Sequence, residues 1–151
     1  MGWFNPYGLD VIILIMIPNV VFAVKNKDGF VNVWSNKTVE ILEQVGRFGC
    51  FGTMIINIPG TVKGFSSEEL FTAYLIVNSV LTLVYCLIWI IFFRRSCLFR
   101  ALALSILPSV IFLFCGIVSR SVLLTTAALI FAPTHILISY KYIWVDNKYA
   151  R

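Results

Sequence analysis

The chain has 151 residues, 60% of them hydrophobic and 13% charged, with a formal net charge of +5 and a mean hydropathy of +0.91. A soluble domain carries about 25% charged residues, so this chain lacks the polar surface to cover a water-facing shell. The bases cluster at the ends of apolar runs, where they face anionic headgroups, and a nucleic-acid partner is set aside.

A membrane span takes about 20 apolar residues to cross a hydrocarbon layer of ~30 Å. Five such spans use most of the chain, so the sequence predicts one transmembrane domain over 1–151, an all-α bundle of five helices. The segment before the first apolar run holds no Lys or Arg. It lacks the basic region of a signal peptide, and the first span is expected to be a retained helix.

In chain order, the first span covers about 8–24 and ends at Lys25-Asn26-Lys27-Asp28-Gly29. The second covers about 42–62 and is the least apolar, since it contains Arg47 and the Pro59-Gly60 pair. The third covers 70–93, with Ser66-Ser67-Glu68-Glu69 supplying cap candidates and first-turn acids before it and Arg94-Arg95 stopping it. The fourth (98–118) and fifth (122–144) are separated only by Ser119-Arg120-Ser121, which predicts a tight antiparallel hairpin.

Orientation follows from Lys and Arg in the connections. From the N-terminal tail to the C-terminal tail the counts run 0, 3, 1, 3, 1, 3, taking Lys25, Lys27 and Lys37, then Lys63, then Arg94, Arg95 and Arg100, then Arg120, then Lys141, Lys148 and Arg151. The alternation predicts the N-terminus outside and the C-terminus in the cytoplasm, and it fails if any span is removed. A multi-pass protein of a prokaryotic plasma membrane fits this pattern. Trp3, Tyr7, Trp34, Tyr140, Tyr142 and Trp144 stand near span ends as interfacial anchors.

Polar residues inside hydrocarbon need internal partners and mark function. At 1.5 Å per residue, Asn19 lies about 16 Å down the first helix, Asn78 ~12 Å down the third and His135 ~20 Å down the fifth, with Ser109 ~16 Å from the opposite surface. Tyr74, Asn78, Thr82, Tyr85 and Trp89 form one stripe on the third helix. Ala128, Ala132, His135, Ser139 and Tyr142 form another on the fifth. Pro18, Pro108 and Pro133 fall at similar depth, and each frees a backbone carbonyl. A ligand site is therefore expected from Asn19, Asn78, Thr82, Tyr85, Ser109, His135 and Ser139; on the packing alternative His135 ties the fifth helix to Asn78 or Asn19. Packing alone accounts for the same residues as the competing reading.

Glu43 and Arg47, spaced i, i+4, are read as a local ion pair at the cytoplasmic mouth of the second helix. Gly46, Gly49 and Gly52 beside them allow another backbone to approach closely. The single histidine, the absence of CxxC among Cys50, Cys86, Cys97 and Cys115, and the lack of nucleotide or hydrolase motifs predict no metal and no cofactor. Asp10, at an estimated ~15 Å from His135 along the membrane normal, is too far to complete a catalytic triad. The expected partners are the lipid bilayer, a small-molecule or lipid ligand, and a second copy or a membrane partner. Ligand binding, with a role in transport, is the leading expectation. A structural subunit and a lipid-directed membrane enzyme follow it.

Overall fold

The computed structural model describes residues 2–25, 36–94 and 97–149, with side chains through Tyr142. The described residues form five helices: α1 (Pro6–Lys25), α2 (Lys37–Ile55), α3 (Glu68–Phe92), α4 (Leu98–Val118) and α5 (Val122–Tyr149). Trp34, Lys27, Arg95 and Arg151, and the side chains of Trp144 and Lys148, to which the sequence assigns interfacial or orienting roles, lie outside the described residues.

Local chemistry sets the helix starts. Asn5 accepts a hydrogen bond from Gly8 N at 3.2 Å ahead of Pro6, a residue suited to the first helical position. Asn36 caps α2 through Val39 N, and Ser67 caps α3 through Leu70 N. Helices α1, α4 and α5 run on through Pro18, Pro108 and Pro133.

Four helices, α1, α3, α4 and α5 as far as Tyr142, are long and apolar enough to cross a membrane. This all-helical bundle is compatible with a multi-pass membrane protein. Helix α2 has Lys37, Glu40, Glu43 and Arg47 among its 19 residues and is not one of the four.

The predicted second span of 42–62 is corrected at its C-terminal end. Helix α2 stops at Ile55, and Ile58 to Thr61 form a turn in which Ile58 O accepts from Thr61 N at 3.1 Å. Gly60 at φ 85° takes the left-handed position after Pro59. Proline then glycine is the sequence of a type II turn, and the helix has ended before it, since Ile56 is extended and bridged to Phe4.

The helices form a ring: α1 packs on α2 and α3, α3 on α4, α4 on α5, and α5 back on α2, with α2 also touching α4. The α4–α5 and α2–α5 seams are the most extensive. One end of the ring is laced by backbone contacts, including bridges Phe4 to Ile56 and Val62 to Ser121. At the opposite end Lys25 lies over Phe93, and Arg100 lies over Phe22 and Trp89 while donating to the last carbonyls of α3.

The α4–α5 hairpin is tight for identifiable reasons. Arg120 adopts φ 54°, and Ser121 N reaches back to Gly116 O at 2.8 Å, closing α4. Ser121 Oγ then accepts from Leu124 N and starts α5. A side chain on Gly116 would collide with Thr125.

Candidate functional site: a groove between two helices and a buried carboxylate

The buried residues of α3 are Tyr74, Asn78, Thr82, Tyr85 and Trp89, one continuous stripe. Most of their polar atoms find partners inside the ring. Asn78 donates to Tyr74 O at 2.9 Å and accepts from the Cys115 thiol at 3.2 Å, joining α3 to α4. Asn19 donates to Ile15 O and to the Tyr85 hydroxyl, each at 2.8 Å, joining α1 to α3. Ser109 is buried and bonds to Ser105 O on its own helix.

Thr82 and Trp89 are the exceptions. Helical threonines ordinarily return their hydroxyl to the carbonyl four residues back, as Thr53, Thr72, Thr125, Thr126 and Thr134 do here. Thr82 Oγ1 has no partner although the residue is only 3% exposed. Among the described residues one other buried side-chain atom, Trp89 Nε1, shares that condition. Leaving a buried hydroxyl unpaired costs about 1–3 kcal/mol.

Thr82 lines a groove of about 330 Å³ between α1 and α3. Leu14 and Val11 form its α1 wall, Leu75, Ser79 and Leu83 its α3 wall, and Asp10 and Tyr7 stand toward the N-terminal end of α1. The proline of α1 contributes directly. Pro18 has no N–H, so the carbonyl of Leu14 lacks its helical partner, and the Cys86 thiol, on the α3 side of the same groove, points to it at 3.7 Å. The residues lining this largely apolar trough thus include one with an unpartnered hydroxyl, Thr82, and one whose carbonyl is weakly engaged, Leu14.

A second cluster lies at the α2–α5 seam. Glu43 is 2% exposed, and its Oε1 accepts from Arg47 Nε at 3.0 Å and also from Arg47 Nη2. The same oxygen lies 2.9 Å from Nδ1 of His135, whose ring stacks on Phe131 with centroids 4.6 Å apart. The expectation that His135 bonds Asn78 or Asn19 is corrected: its partner is Glu43. The reason is the seam itself. A Cβ on Gly46 would stand 2.8 Å from the Phe131 backbone, and one on Gly49 would stand 3.0 Å from Ala127 Cβ. These glycines draw the antiparallel α2 and α5 together, and continuing that register by one turn sets Glu43 against His135.

The sequence-predicted residues therefore separate into four groups. Asn78 and Thr82 line the α1–α3 groove. Asn19 and Tyr85 pair with each other, while Ser109 and the half-buried Ser139 stand apart from both groove and cluster. His135 joins Glu43 and Arg47. Sequence reasoning missed the Glu43–His135 contact, although the matched spacing of 43, 46 and 49 with 135, 131 and 127 carries its signal. It also missed Leu14, whose carbonyl is opened by Pro18, and the Cys86 thiol that points to it. No protein family, curated protein or solved structure matches this chain.

Proposed function

We propose that this chain is a five-span membrane protein, N-terminus outside and C-terminus in the cytoplasm, that binds an elongated amphiphile, a lipid or lipid-like small molecule, in the α1–α3 groove. The unpartnered Thr82 hydroxyl carries this reading. A buried donor left open beside an apolar trough is what a ligand with a matching acceptor satisfies. The trough extends from Tyr74 to Cys86 on α3, about 18 Å at helical rise, which suits an alkyl chain. Asp10 at its outer end favours a head that is cationic or donates hydrogen bonds. The loop charges support the orientation, and handing such a ligand across or along the membrane is the transport role this site would serve.

The test uses a photoactivatable sixteen-carbon alcohol in vesicles containing the protein. Crosslinks are expected on peptides holding Leu14 and Leu83, and Ser79→Trp, which fills the groove from its exposed wall, is expected to abolish them. Labelling spread evenly over all lipid-facing helices, and unaffected by Ser79→Trp, would contradict the proposal.

A further inference from the structure

The Glu43 cluster is separate from the groove and leaves two groups open. Arg47 uses Nε and Nη2 on Glu43, and its side chain remains 36% exposed. His135 uses Nδ1 on the same oxygen and remains 22% exposed, with no hydrogen bond from Nε2 to any described residue. Glu43 itself is closed off, at 3% side-chain exposure. It anchors both partners and fixes their orientation, much as a carboxylate orients a ligating or catalytic histidine.

Left without a partner among the described residues, then, are the remaining guanidinium N–H groups of Arg47 and the Nε2 of His135. A neutral imidazole that donates from Nδ1 presents a lone pair at Nε2, and a protonated one presents a second N–H. A carboxylate ligand matches only the second state. A phosphomonoester matches both, because its second ionisation lies near pH 6 and it offers P–OH as well as P–O⁻. The guanidinium fork suits the same oxygens. The charge of that end agrees, since the cluster lies toward the end of the ring that holds Lys25, Arg94 and Arg100, and an excess of cations at one end raises the anion concentration there.

We infer that Arg47 and His135, held by Glu43, form a phosphomonoester-binding site at the α2–α5 seam, independent of the groove. The phosphate is either a lipid headgroup or a free phosphate from the aqueous side.

His135 is the chain's single histidine, so ¹⁵N-histidine labelling reports this site alone. The full-length protein in phosphatidylcholine nanodiscs is titrated in one arm with phosphatidic acid in the bilayer and in the other with inorganic phosphate. A saturable shift of the ring nitrogens is expected. Saturation in the first arm assigns the source to lipid, and in the second to solution; either supports the site. Arg47→Gln is expected to weaken the response about tenfold, the loss of a charge-assisted hydrogen bond. Should Arg47→Gln lose its helical circular dichroism, Arg47→Lys carries the test, with an expected loss of about threefold because the fork geometry is gone. No shift in either arm, or a full response in the folded Arg47 variant, overturns the inference.

Discussion

Gly46 lies so close to Phe131 that a Cβ at position 46 would stand 2.8 Å from the phenylalanine's backbone nitrogen and Cα. Gly46→Ala is therefore expected to force α2 and α5 apart and to destabilise the protein by about 1–3 kcal/mol, the usual cost of overpacking. Gly52, which has open space around its missing side chain, provides the contrast. Gly52→Ala is expected to add about 0.5–1 kcal/mol through helix propensity. Reversible unfolding in mixed micelles, followed by circular dichroism, measures both.

Glu43 is shared by two partners, so its loss strands both. Glu43→Ala is expected to cost about 1.5–3 kcal/mol, the value of hydrogen bonds to a charged group, since Arg47 and His135 are both partly exposed. Glu43→Gln, which keeps a hydrogen-bond acceptor, is expected to cost less. Equal stability of Glu43→Ala and the parent chain in the same unfolding assay would mean that the carboxylate anchors nothing.

The Thr82 hydroxyl contributes no hydrogen bond to the fold, so Thr82→Val is expected to leave stability within about 0.5 kcal/mol of the parent or slightly raised. It should nonetheless weaken retention of the photoactivatable alcohol. By contrast Tyr85→Phe removes a 2.8 Å contact with Asn19 and is expected to cost about 0.6 kcal/mol, the mean for interhelical hydrogen bonds in a bilayer. The pair of variants separates a ligand-facing polar group from a packing one.

Arg120 occupies the left-handed region at φ 54°, which disfavours a residue with a Cβ. Arg120→Gly is expected to stabilise the hairpin by about 0.5–1 kcal/mol. A rise in the unfolding midpoint without a change in helicity checks it.

How far the sequence went differs from element to element. The α3 stripe was readable because an apolar helix with five aligned polar or aromatic residues has one face suited to the interior, and those five are its buried set. The α4–α5 hairpin was readable from three residues, too few for any other connection. The end of α2 was not, since hydropathy continues through Ile56 and Ile58 while the backbone turns at Pro59-Gly60. His135 was singled out for its depth, but its partner depended on which helices become neighbours. The ring order sets α2 beside α5, and Glu43 already had a local partner in Arg47 that satisfied a reading along the chain. The groove floor was hidden for a related reason. Leu14 is apolar as a side chain, and it contributes through a carbonyl that a proline four residues on leaves open.

Both proposed sites depend on α2 crossing the bilayer, for without it the ring order has no consistent membrane placement. Paired reporter fusions at Gly29 and Gly64, using alkaline phosphatase and a green fluorescent protein, measure this directly. Fluorescence without phosphatase activity at Gly29, with phosphatase activity without fluorescence at Gly64, is the predicted result. The same reporter active at both positions would mean that α2 does not span, and would contradict the five-helix account.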